Sequence, residues 1–453
     1  MTHLKHPHLS GLARNPAAGE GLLIRLAAHD AGRHGLALRP GRLPDGVVAA
    51  LLTHGDAHSA ALLHGDRVSP AMRRGIAAHP DPELRDAFPN FVRHLVDRRV
   101  VFDIGTLEEA YGAPRTVLVA DPDPKLRVAV ALTWHDRPAS AQLALLGDPD
   151  PEVRAAAIER RHPGVPPEWY DRCLADPATR VNAARSVPLT QDRFDGLMDT
   201  EDADVRRAVA ENPHLSADMV TRLLGIEDSL VRAAVAQSRH VDAETRARLY
   251  ARLEADSEAG DIDADLALNW HPVEPGWLRD APLAEKLTHL DCPHPVFRRV
   301  LASCRDLPAW AWQRLDADPV LAVRRAAARR PDTPPDVLER LVRAHGDVSH
   351  IRPTHVDHPN FPRHVLRTYA DEPDPRLRRL ALKDPDLPPP TLHRPADDAD
   401  SHVRSEAARH PRTPAPLLER LLHDPEPGTA EAAAAHPALP PDLMHRILTD
   451  ARL

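Results

Sequence analysis

Short apolar stretches alternate with polar ones at a steady rhythm along most of the chain. The stretch DPDPEVRAAAI at 148–158 is typical: Val153, Ala156 and Ala157 fall at i, i+3 and i+4, the spacing of one helical face. An Asp ahead of the stretch caps free N–H groups, and Pro is at ease in the first turn. An Asn-Pro or His-Pro step then closes the helix, because the residue before Pro is pushed out of the α region. A second apolar segment follows, as in RPDTPPDVLERLV at 330–342. There Thr333 can cap, Pro334 opens, and Val337, Leu338 and Leu341 face inward. The pattern predicts two short helices per unit, separated by Pro turns.

The unit recurs. The line Asp-Pro, three residues, aliphatic, Arg, then Ala-rich residues is seen at 121–131, 148–158 and 318–328, with looser copies elsewhere. Its arginine falls at 127, 154, 206, 232, 298, 324, 378 and 404, with gaps of 27, 52, 26, 66, 26, 54 and 26. The gaps of 52 and 54 are doubles that hide degenerate copies, one with Asn182 in the arginine slot and one near Arg352. Ala430 fills the slot of the last copy, and the gap of 66 holds a copy around Asp265 plus an insertion near EADSEAGDID. Before residue 120 the phase blurs: Arg73 and Arg85 both fit in part. The expected organisation is 1–80, N-terminal capping or degenerate repeats; 81–240, repeats with an insertion near 90–115; 241–300, irregular repeats with an insertion; and 301–453, repeats and a C-terminal cap.

Helices of two or three turns are marginal alone in water. One unit cannot bury its own stripe, so units must stack and share a core, which makes the array an all-α solenoid. The repeated Asp and Arg are expected to form a ladder along the stack, with Arg bonding to Asp or to loop carbonyls of a neighbouring unit. Its members are Asp121, Arg127, Asp148, Arg154, Arg206, Arg232, Arg298, Asp318, Arg324, Arg378 and Arg404. The competing role, a basic ladder gripping phosphates, is opposed by the acidic residues in nearly every unit.

The combined line Asp-Pro…Val-Arg…Ala…Asn-Pro…Thr-Pro…Leu…Leu resembles the leucine-rich repeat variant family and the wider HEAT-like group. The resemblance covers most of residues 50–450, and a period of about 26 is nearer the former. It implies a right-handed superhelix of short paired helices, one of them 3₁₀ in character. The best-known form of the variant family carries an N-terminal cysteine cluster for an iron–sulfur centre. This chain has no cysteine before Cys173, so no cluster and no other cofactor is expected. HEAT-like folds also include a few DNA glycosylases, but no catalytic motif or basic channel here carries that activity over.

Composition narrows the function classes. Aromatics are only 4% of the chain and Pro numbers 48, roughly twice the usual share, as punctuation between helices. The net charge is -9 with both signs interspersed, and no basic block supports nucleic-acid binding. Three cysteines are too few for a disulfide framework. The first residues lack the apolar core of a signal peptide, and no run is long enough to span a membrane. A bacterial, cytoplasmic protein is expected.

Candidate chemistry is sparse. Of the 28 histidines, His79, His162, His271, His358, His410 and His436 precede Pro at helix ends, where imidazole suits the C-terminal carbonyls. They are spread along the stack and read as punctuation. HPHLS at 6–10 and THVDHP at 354–359 lack zinc spacing. Cys173, Cys292 and Cys304 read as buried thiols, since nothing marks a base to activate them. Trp270, Trp277, Trp310 and Trp312 are gap-fillers or interface anchors in an irregular part of the array. The function expected is a non-enzymatic scaffold that holds an unidentified protein or peptide on a concave face. The alternatives are an accessory or modifying enzyme with a site on that face, and nucleic-acid binding.

Overall fold

The computed structural model describes residues 6–54, 57–100, 103–159, 163–270, 274–347 and 354–453, with Trp270 by its backbone only. His162, His271 and Arg352 lie outside the described residues. The chain is an array of short helices, with no strand among the described residues.

Each regular unit has the expected pair. In one, the helix Pro124–Thr133 is followed by Ala139–Leu146; in another, Ser401–Arg409 is followed by Ala415–Leu421. The repeated Asp-Pro-Asp-Pro turn contains two aspartates with separate tasks. The second is the N-cap: Asp123 and Asp150 each accept from the backbone N–H two residues on, as do Asp374 and Asp400 in looser copies of the turn. The first belongs to the ladder described below. Some second helices are wholly or partly 3₁₀, as at Arg363–Asp371 and Pro389–Leu392.

The two helices of a unit form two layers. First helices pack against one another along the array, whereas second helices touch their successors only sparsely. The more closely spaced layer lies on the inside of the curve, so the first helices line the concave face. Their buried edge carries the small residues: Val153, Ala156 and Ala157 are wholly buried, as are Ala183, Ala184 and Ala208. Ala at the contact lets short helices approach closely, which the tight inner curve requires.

The blurred first 80 residues fold as units of the same kind. The helices Pro7–Arg14 and Glu20–Leu26 form one pair, Asp30–Leu38 and Asp45–His54 the next. The first of these units stacks on the last: Pro7–Arg14 lies between Asp30–Leu38 on one side and Pro427–Ala434 on the other. One buried cluster joins Leu12, Leu23, Leu36 and Val48 to Leu418, Ala433 and Leu448. The remaining clusters follow in chain order, so packing runs unit to unit around the array and returns to its start. The array is a closed ring. It exposes 22740 Å², about a third more than the ~17,000 Å² of a compact monomer of 49.9 kDa.

On both sides of the first helix, at the seam and at the joint to the second unit, the approach is set by glycine. A Cβ on Gly11 would strike the carbonyl oxygen of Glu431, and one on Gly35 the carbonyl oxygen of Ser10.

Candidate interaction surface

Two ladders hold the units in register. In the first, the slot arginine reaches back and forward at once. Arg127 donates to the carbonyl oxygens of Asp121 and Pro122, six and five residues earlier, at 2.7 and 3.2 Å. Its other edge makes a two-pronged bond to Asp148 of the next unit, 2.8 Å on each prong. Arg154 does the same with Asp176, Arg298 with Asp318, Arg378 with Asp398 and Arg404 with Asp424. The planar fork of arginine suits this bidentate task. Burial alone would raise the Asp148 carboxyl, but the Arg127 guanidinium and the Asp150 N–H outweigh it and hold it below the usual range. Arg154 likewise lowers Asp176 and Arg378 lowers Asp398.

The rungs vary where the sequence does. Arg206 keeps only the carbonyl of Thr200, and its neighbour Arg207 makes the forward pairs, to Asp228 and Asp263. Arg232 pairs with Asp256 in the long helix Ala243–Glu258, and Arg324 meets His345. In the copy with Asn182 in the slot, Arg180 reaches the loop carbonyls of Leu174 and Ala175. Arg33 marks the slot in the early repeats, donating to Ala27 six residues back.

The second ladder is built from the residue before Pro. His410 Nδ1 accepts the N–H of Arg412, and Nε2 lies 2.8 Å from the carbonyl oxygen of Asp384 in the preceding unit. His436 repeats this with Ala438 and His410, and His358 with Asn360 and Arg330. An acceptor at Nδ1 and a donor at Nε2 define the neutral Nε2–H tautomer. These imidazoles therefore bond as neutral donors to the preceding unit, and not as cations to the dipole of their own helix; burial lowers the His436 pKa in keeping with that. Asn212 does the same work with an amide: Oδ1 accepts from His214, and Nδ2 donates to Ala184 and Val187 of the preceding unit. The equivalence explains why Asn-Pro and His-Pro alternate in the repeat.

Of the four candidate tryptophans, the three whose side chains are described do not share a surface. Trp277 is half-buried, donates from Nε1 to the carbonyl of Gln237 at 2.7 Å, and packs edge-on against His289. Trp312 is buried with the Arg330 guanidinium 4.7 Å above its ring. Trp310 is 49% exposed, on the outer-layer helix Ala309–Asp316. The Trp270 side chain lies outside the described residues.

No group of three metal-type ligands occurs among the described residues. Cys173 and Cys304 are buried, Cys292 is half-buried, and burial pushes all three thiols up, away from reactive thiolate. A groove of about 300 Å³ opens between the helices Tyr170–Ala175 and Gln191–Met198, lined by Asp171, Arg180, Asp192, Arg193 and Thr200. Its carboxylates Asp171 and Asp192 are exposed, Arg180 is held by loop carbonyls, and Arg193 is already paired with Asp171. The broad surface the fold offers is the inner wall formed by the first helices. Its apolar part, Ile262 and Leu266, lies in the irregular stretch near 250–290, which the sequence marks as a candidate specificity loop but where it points to the tryptophans rather than to these two residues.

Two segments, residues 321–345 and 402–426, match the leucine rich repeat variant family. Each spans one first helix and the second helix after it. No curated protein matches the chain. Among solved structures, the crystal structure of an engineered protein is similar at 14% identity over 92% of this chain and 97% of its own, with a TM-score of 0.15. A likeness that low leaves the fold to rest on the packing of this chain.

Proposed function

We propose that this array, which carries leucine rich repeat variant units, is a non-enzymatic scaffold that holds a protein or peptide partner on its inner face. The observation behind the reading is the wall itself: the described first helices present a broad surface, and many of the side chains that could catalyse are spent in the ladders. The slot arginines at 127, 154, 298, 378 and 404 are held by carbonyls and carboxylates together, and the pre-proline histidines at 358, 410 and 436 by carbonyls. The same pairing leaves little for phosphates to recruit, which weighs against nucleic acid.

We place the protein in the cytoplasm, where its three thiols stay reduced. Among the described residues no helix is long and apolar enough to cross a membrane.

Site-specific photo-crosslinking tests the scaffold reading. A benzophenone side chain at Ala155, on the inner face, is compared in cells with one at Asp192, on the outer layer. A stoichiometric protein adduct from position 155 and none from position 192 supports the reading. Adducts from the outer position alone contradict it.

A further inference from the structure

At one unit the inner wall exposes two aliphatic side chains on a single helix stripe. There the first helix starts at Ile262–Asp265 and runs on as a π-helical turn, Leu266–Trp270. Asp261 caps it, accepting from the N–H groups of Asp263 and Ala264, and also accepts from Ser229 Oγ at 2.7 Å. These bonds fix the helix against its neighbour Ser229–Ala236. Ala264 and Ala267 form the buried edge.

The opposite edge is apolar. Ile262 is 74% exposed and Leu266 36%, and the two lie at i and i+4, one above the other. Counted from the capping aspartate, Leu266 occupies the position that Arg207 holds after Asp202. That position is Arg at 207, 299, 325 and 379 and Val128, Ala155, Ala233 or Ser405 in the other copies; Val128 and Ala233 are buried there, whereas Leu266 is exposed beside a π turn, a distortion often found at functional sites.

The segment that leads into this helix is acidic. Residues 253–265, LEADSEAGDIDAD, carry six acids and no base. Arg232 and Arg252 reach Asp256, and Arg207 reaches Asp263. No cation among the described residues pairs with Glu258 or Asp265; Asp265 accepts only from Asn269. Exposed aliphatic side chains in an acidic segment that keeps unpaired carboxylates disfavour nucleic acids and anionic lipids. They complement a chain segment that offers an apolar residue flanked by Lys or Arg.

We infer that Ile262 and Leu266, with Asp265 on the same helix and Glu258 four residues ahead of Ile262 in the chain, form the docking point for a basic, apolar-anchored peptide segment of a partner protein. The inference rests on the scaffold reading and names its partner chemistry.

Selection of a random dodecapeptide library on the full-length protein is the test, followed by anisotropy titration of the consensus peptide. The expected consensus has an aliphatic or aromatic residue with Lys or Arg on both sides. Ile262→Ser with Leu266→Ser should weaken it roughly ten-fold or more. Glu258→Gln with Asp265→Asn should weaken it and flatten its salt dependence. All four side chains lie at the surface or half-exposed, so an unchanged melting curve separates binding from folding. A consensus without basic residues, or one that binds the apolar double variant as it binds the parent, overturns the docking point and leaves the scaffold reading standing. Failure to enrich any peptide overturns the docking point and counts against the scaffold reading as well.

Discussion

Asn15, in the first unit of the chain, donates its side-chain N–H to the carbonyl oxygen of His436, in the last, at 2.7 Å. The same amide reaches the carbonyl of Ala434 at 3.0 Å, while its Oδ1 accepts the N–H of Ala17. This is the bond pattern of Asn212 toward the unit before it. The seam where the ring closes is thus an ordinary inter-unit joint made between opposite ends of the chain. One device differs: with Ala430 in the slot there is no Arg–Asp rung, and Glu431 instead takes Ser10 at 2.6 Å and Arg14 at 2.6 Å.

If the seam is a true repeat joint, Asn15→Ala and Asn212→Ala should cost the same. Each leaves buried carbonyls without donors, a loss of about 2–3 kcal/mol. Urea unfolding of both variants measures it. A neutral Asn15→Ala beside a costly Asn212→Ala would show that the ends do not meet.

The neutral-tautomer ladder makes His436 replaceable by one residue in particular. His436→Asn keeps an acceptor for the following N–H and a donor for the preceding unit, and should cost under about 1 kcal/mol. His436→Ala should cost about 2–3 kcal/mol. Thermal melts of the two variants give the ranking; equal losses would refute the shared role of His and Asn.

The rungs are unequal. Arg127 and Asp148 have side chains only 11% and 8% exposed, so Arg127→Ala strands a buried carboxylate and should cost about 3–5 kcal/mol. Arg206 bonds to one carbonyl and no carboxylate, and Arg206→Ala should cost under about 1 kcal/mol. Denaturant midpoints of the pair check the difference.

Acid should weaken the ring in two windows. Burial, helped by Arg246 and Arg298, pushes the His294 imidazole down to about 4, where it stacks on Tyr250 at 3.4 Å. The unfolded chain takes up that proton first, so this contribution is complete above about pH 6.5 and is lost as pH falls toward 4. The lowered carboxyls of Asp176 and Asp398 act further down: their contribution is complete above about pH 4 and is lost below it. Melting temperature should therefore fall between pH 7 and 5, and His294→Gln should reduce that fall even if it lowers the melting temperature throughout. An unchanged slope would rule out the His294 contribution.

Much of the fold was legible because the repeat states its own register. Asp-Pro marked each first helix, Pro each second, and the slot arginine the stacking partner. Closure was not legible from periodicity, since no local pattern reports that residue 15 meets residue 436. A trace existed: LARNP at 12–16 repeats VAENP at 209–213, and Arg33 sits in the slot of its unit. These copies were obscured because the early units carry Ser10 or Gly35 where others carry Arg or Ala. The four tryptophans drew attention because aromatics are rare here, but two of them fill space. The apolar pair on the inner wall is aliphatic, and in sequence Ile262 and Leu266 look like core.

Closure of the ring is the central claim, and a distance across the seam tests it most directly. Spin labels are placed at Ala28 and Asp450, both exposed, with Cys292→Ser to keep the labelling clean. Pulsed dipolar spectroscopy on the closed ring should give one short, narrow distance distribution, which Gly11→Val broadens by forcing the first and last units apart. A long, broad distribution in the unaltered background, insensitive to Gly11→Val, would mean an open solenoid with free ends.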